Sequence, residues 1–246
     1  MSGDQQHGGG REELEDRLTG PIDGVLHLLD RQLIDRDGEL LGKVDDVELT
    51  PLYLLAGGQH GADDRLAITG VLTGPAAILD RFGGRLGRIL VERWAQLRLS
   101  EPNRKRPWRI DIDDIDRLDS ALHLSVRRDG VLRRDRDAHR LGRLTGLDVL
   151  DPAGERIGRV LDARFEPDGA GHLVMCSLIV GHGRPGSLLG YDRRAEQGPW
   201  LVRVVVRWMH RHSVIVAAED ADIDWGDGTV RLRSRPTERP THPFDQ

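Results

Sequence analysis

The chain has 246 residues, 38% hydrophobic and 31% charged, with a formal net charge of −5. That length holds one large domain or two of about 100 residues each. The charge excludes a global basic field for nucleic acid, the scarcity of aromatics argues against stacking platforms for single strands, and a lone cysteine excludes an intrachain disulfide or a multi-cysteine metal site.

Apolar runs recur too often for a disordered chain. Lys43 and Lys105 are the only lysines among 36 basic residues, a bias expected of a high-GC bacterial genome. Met1 to Arg11 is polar and glycine-rich, with no basic region leading into an apolar stretch, so it does not read as a signal peptide. No apolar run approaches the length of a membrane span. These features lead to the expectation of a soluble cytoplasmic protein.

In chain order, Glu12 to Leu18 has the pattern of a short amphipathic helix before Pro21. Leu33 and Ile34, a turn at Asp35–Gly38, and Leu41, Val44, Val47 and Leu49 predict a β-hairpin. Gly42 falls inside its second strand, where a bulge or tight bend is expected. Arg65 to Leu72 is a further strand candidate. Leu86 to Arg98 has helix formers, with Ile89, Leu90, Arg93, Trp94 and Leu97 at helical spacing. Asp113 and Asp114 then open an acidic turn, and Ala121 to Val126 alternates as a strand.

The same order of signals then returns. Asp35, Gly38, Glu39, Gly42, Val44 and Asp46 recur 116 residues later as Asp151, Gly154, Glu155, Gly158, Val160 and Asp162. Asp-Pro-Ala-Gly at 151–154 is the stronger turn, since Pro152 presets φ. Gly74-Pro75 before Ile78, Leu79 and Phe82 returns as Gly183 and Pro185 before Leu188, Leu189 and Tyr191. Arg93-Trp94 returns as Arg207-Trp208. Asp114, Ile115, Asp116, Asp119, Leu122 and Leu124 are set 108 residues before Asp222, Ile223, Asp224, Asp227, Val230 and Leu232. His172 to Val180 is the counterpart of the strand at Arg65–Leu72, and Cys176 within it reads as a buried, inert thiol. Leu201 to Trp208 favours a strand by its valines. A shared fold demands one assignment for both copies, and helix is taken over 84–98 and 199–211.

The hairpin block, Asp-x-x-Gly-Glu-x-x-Gly-x-Val-x-Asp, resembles the opening of PRC-barrel domains. The closing block, an acidic turn at Asp113 and Asp114 or at Asp220 and Asp222 before a short apolar strand, resembles their end. The resemblance covers about 27–126 and 142–233. It implies a mainly β protein with some α: two tandem small antiparallel barrels, each with a helical insertion, packed as a pseudo-two-fold pair. The expected domains are a tail at 1–23, barrels at 24–126 and 142–234, a charged linker at 127–141 and a disordered tail at 235–246 with Pro236, Pro240 and Pro243.

No catalytic set emerges. Asp111, Asp113, Asp114 and Asp116 lack the glycine and glutamate of an EF-hand loop. His210 and His212 have no evident ligand partners nearby, and Ser187 lacks the spacing of a nucleophile elbow. The glycine-rich stretch Gly181–Gly186 has no phosphate-loop signature, and Glu39 and Glu155 each follow a turn glycine, where exposed polar residues are ordinary. No catalytic, metal or cofactor residue is therefore expected. The resemblance implies a non-enzymatic protein-binding adaptor, a monomer with an internal pair of barrels and an unidentified protein partner. Arg88, Arg93, Trp94, Arg203, Arg207 and Trp208 are the candidate contacts, because Trp and Arg concentrate at binding hot spots. The competing structural role packs each Trp onto its barrel. RNA or ribosome association through the arginines is the alternative function.

Overall fold

Short β-branched and leucine-rich runs, broken by aspartate- and glycine-led turns, make the chain mainly β, in a computed structural model that describes residues 20–57, 63–80, 107–134, 138–182 and 213–236. The N-terminal half holds β1 (Ile22–Asp23), β2 (Gln32–Ile34), β3 (Leu40–Lys43), β4 (Asp46–Pro51), α1 (Leu52–Leu55), β5 (Leu66–Thr73), α2 (Pro75–Asp80), β6 (Trp108–Asp111), β7 (Ile115–Leu118), β8 (Ala121–Leu124) and β9 (Arg133–Arg134). The C-terminal half holds β10 (His139–Arg140), α3 (Leu141–Leu144), β11 (Asp148–Leu150), β12 (Arg156–Pro167), β13 (Leu173–Gly181), β14 (Val214–Ala217), β15 (Ala221–Asp224) and β16 (Thr229–Leu232). The expected helix at 12–18 and those at 84–98 and 199–211 lie outside the described residues, as do residues 237–246 of the C-terminal tail.

A large sheet runs β10-β4-β5-β13-β12-β11-β16-β15 and curls into a half-barrel; a second sheet runs β3-β2-β8-β7. The hydrogen-bond registers of the two halves coincide. β2 pairs in parallel with β8, Leu33 facing Leu122, as β11 does with β16, Val149 facing Val230. Leu33 also faces Gly42 and Val149 faces Gly158, each followed by a register shift, which is the bulge expected at those glycines. Glu48 faces Gly70 and Arg164 faces Ser177, and a shift follows both. The hairpins β5–β6 and β13–β14 close the series, with Leu72 facing Arg109 and Ile179 facing Ile215.

The turns explain why these strands begin and end where they do. The Asp35 carboxylate accepts from the N–H groups of Asp37 and Glu39, and the Asp35 N–H donates to the Glu39 carbonyl. Asp151 repeats this with Ala153 and Glu155. Gly38 and Gly154 both sit at φ 85°, a left-handed conformation that costs an L side chain about 1–2 kcal/mol. A third turn of the same construction, Asp168–His172, joins β12 to β13, with Gly171 at φ 88°.

The acidic block needs a correction. Leu118 faces Leu122 and Ile223 faces Val230, so Leu118, not Ile115, is the counterpart of Ile223. Likewise the Asp114 carbonyl accepts from Ser125 and that of Asp220 from Arg233, which matches Asp114 with Asp220 rather than Asp222. A bulge between Ile115 and Arg117, followed by a shorter turn at 119–120 than at 225–228, displaces the sequence match without changing the pairing. The stretches read as tail and linker also carry strands: Ile22–Asp23, Arg133–Arg134 and His139–Arg140 are all paired.

One apolar cluster joins both halves, from Ile22, Leu28 and Leu33 through Val47 and Leu141 to Phe165, Leu178 and Val230. Burying each such side chain is worth about 1.5–3 kcal/mol. No helix among the described residues is long and apolar enough to cross a membrane.

Candidate functional site

Arg88, Arg93, Trp94, Arg203, Arg207 and Trp208 lie outside the described residues, and so do Ser187, His210 and His212. The roots of the two segments that carry them are described. One segment connects β5 to β6, whose ends pair Thr73 with Trp108; the other connects β13 to β14, where Val180 pairs with Val214. The two candidate contact segments therefore leave matching ends of matching hairpins.

The turn residues are structural. Asp35 also accepts from the Arg128 N–H, and Asp151 pairs with the Arg235 guanidinium at 3.1 Å. Glu39 and Glu155 are exposed and lie 3.9 Å from Arg128 and 3.5 Å from Arg235. Of the acidic run, Asp111 is held by Arg109 at 2.8 Å, while Asp113 and Asp114 lie in a 3₁₀ turn. Among the described residues no group of three or more His, Cys, Asp or Glu side chains is placed to hold a metal ion. Cys176 is half-buried and sits at the β12–β13 bulge; burial pushes its thiol pKa up.

Two arrangements escaped the sequence. The first is a buried polar network in the N-terminal half. Glu48 Oε1 accepts from Thr69 Oγ1 at 2.6 Å and from Arg109 Nε at 2.8 Å. The guanidinium also donates to Asp111 and to the Thr69 carbonyl, and Thr50 joins through a 2.9 Å contact with Thr69. Burial opposes the charge on Arg109, but its hydrogen bonds and charge contacts with Asp111 and Glu48 outweigh that and hold its pKa above the ordinary value. Alternating polar residues on β4 and β6 were the available signal, and exposure was the ordinary reading of them.

The second is a reciprocal exchange of segments between the halves. Ile22 and Asp23 pair on β12, opposite Phe165 and Arg164. His139 and Arg140 pair on β4, opposite Leu49 and Glu48. Each arm then enters a short helical turn, Gly24–Leu28 or α3, whose first amides are caught by an aspartate of the opposite half. Asp162 accepts from Val25 at 2.8 Å and Leu26 at 3.1 Å; Asp46 accepts from Gly142 at 2.8 Å. Both aspartates also take the next N–H of their own strand, from Ala163 and Val47. Burial raises the Asp162 pKa to about 7, and the Asp23 charge adds to this against the pull of the donated N–H groups. Around the arms, Arg164 grips Asp23 at 2.7 and 3.1 Å, and His139 stacks on Trp225 with ring centres 4.1 Å apart. The block containing Asp46 and Asp162 was visible as a repeat, but the distance in sequence to their amide partners hid their task.

No protein-family model matches the chain, and no curated protein is found similar to it.

Proposed function

We propose that this chain is a non-enzymatic PRC-barrel-type protein in which two fused barrels, related by a pseudo-two-fold axis, form a protein-binding adaptor. The observation that carries the reading is the common hydrogen-bond register of the two halves, down to the bulges beside Gly42 and Gly158, combined with the reciprocal exchange of their arms. Such a frame is held by polar groups spent on turns, arms and the core. The sequence between β5 and β6 carries Arg88, Arg93 and Trp94, and that between β13 and β14 carries Arg203, Arg207 and Trp208. Paired Trp and Arg residues are the side chains that most often anchor a protein partner.

The test is cross-linking capture by the full chain in extracts of its native cell, compared with Arg93→Ala/Trp94→Ala and Arg207→Ala/Trp208→Ala variants of unchanged melting temperature. Loss of one defined protein from both variants supports the adaptor. Capture indifferent to all four positions removes it. The second reading, RNA association, rests on the surrounding arginines and predicts binding that weakens steeply with salt; a salt-insensitive or absent interaction with RNA counts against it.

A further inference from the structure

The arm exchange uses interchangeable backbone chemistry but opposite side-chain charges. Asp46 and Asp162 occupy matching positions and each takes an amide from the other half's helical turn. Strand pairing is also matched, with Ile22 and Asp23 on Phe165 and Arg164, and His139 and Arg140 on Leu49 and Glu48. By backbone alone, an arm would fit the strand of its own half in a second chain as well as it fits the opposite half. The charges break that equivalence. The first arm is acidic and its docking strand basic: Asp23 is buried and gripped through two hydrogen bonds by Arg164. The second pair is reversed: Arg140 is the basic arm residue, and it is the register partner of buried Glu48 on the acidic strand.

We propose that these reversed pairs are partner-specificity determinants: the docking strand of each half accepts the arm of the unlike half, in the same chain or in a second copy, and rejects that of the like half. Like-half pairing would set Asp23 against Glu48 and Arg140 against Arg164. Residues directly opposite in an antiparallel pair stand about 4.5–5.5 Å apart at Cβ, where like charges destabilise the pairing. The exclusion of like-half pairing rests on the reading of the halves as copies of one fold, whereas the coupling between Asp23 and Arg164 does not.

The experiment uses the full chain with Asp23→Arg, Arg164→Asp and the two combined. Each single variant is expected to lower the melting temperature by about 5–10 °C, because it sets like charges against each other where buried Asp23 and half-buried Arg164 now pair. The combination is expected to recover more than half of the summed loss. It also gives both arms an arginine and both strands an acid, so like-half pairing becomes allowed. Sedimentation velocity should then show self-association that rises with concentration, at concentrations where the unaltered chain shows none. A combined variant that recovers nothing, or fails to fold, overturns the pairing of the two residues. Recovery without gained self-association overturns the selectivity. Where a single reversal prevents folding, Asp23→Asn and Arg164→Gln provide the same cycle, and purely additive losses there overturn the proposal. Failure of the adaptor reading appears instead in capture that ignores Arg93 and Trp94, and leaves this cycle unaffected.

Discussion

The N-terminal and C-terminal halves carry the same strand register with different interiors. At the bulge where β4 meets β5, Glu48, Thr69, Thr50, Arg109 and Asp111 form a buried hydrogen-bonded network. The matching positions of the other half are Arg164, Cys176, Glu166, Ile215 and Ala217, and the same bulge forms there. The charged network is therefore not needed to make the bulge. Once one charge is present it must be matched, because an uncompensated buried ion costs several kcal/mol while an apolar replacement of the whole pair is often harmless. The residues that face the arms also carry opposite charge: Arg164 is the register partner of Asp23 and bonds it, whereas Glu48 is the register partner of Arg140 while its carboxylate bonds Arg109 and Thr69.

The sharpest way to break this comparison is to give the N-terminal half the C-terminal half's residue. Arg109→Ile should cost about 3–5 kcal/mol in urea unfolding, since it strands Glu48. Adding Glu48→Gln should return most of that loss. If the double variant stays as unstable as the single one, the network specifies the N-terminal half in a way that the C-terminal half does not require.

A pH dependence of the order of a few kcal/mol should follow from Asp162. Its folded pKa of about 7 lies above the ordinary aspartate value, so the folded state holds the proton more tightly. Its contribution to stability is therefore greatest below about pH 4, declines as pH rises toward 7 and is level above that. Melting temperatures of the unaltered chain and of Asp162→Asn, taken across this range, should differ in slope in that direction. Equal slopes would show that the N–H groups of Val25, Leu26 and Ala163 keep the carboxylate charged throughout.

The smallest effect concerns a backbone difference. Asp30 stands at φ 58° where the C-terminal half has Gly146 at φ 90°, and each donates its N–H to the matching valine carbonyl, Val44 or Val160. Gly146→Ala should cost about 1–2 kcal/mol, and Gly146→Asp should cost less, since aspartate tolerates the left-handed region better. Thermal unfolding of the two variants decides it. Equal losses would mean that Asp30 is tolerated only because of its own surroundings, including its 3.4 Å contact with Lys43.

Much of the frame was legible in the residues. The turns at Asp35–Gly38 and Asp151–Gly154, the bulges beside Gly42 and Gly158, and the strands at Leu66–Thr73, Leu173–Gly181 and Thr229–Leu232 follow from local signals. The turn at Asp168–His172 carries the same aspartate-to-glycine spacing and could have been found by searching for it. The acidic block was misaligned because its matching residues differ in spacing by a bulge and by turn length, which leave no mark on composition.

What the sequence determined by itself was local: where the chain turns, which runs are extended, and that the signals of residues 35–46 return at 151–162. Those depend on φ preferences, side-chain-to-backbone bonds within a few residues and hydrophobic alternation. What only the tertiary structure decided was which half each polar group serves. Asp162 meets Val25 across 137 residues, and Arg109 meets Glu48 across 61. A carboxylate in a strand looks the same in sequence whether it faces water, an arginine or the amides of another half. Burial alone makes the difference, because only there must each charge and each amide find a partner.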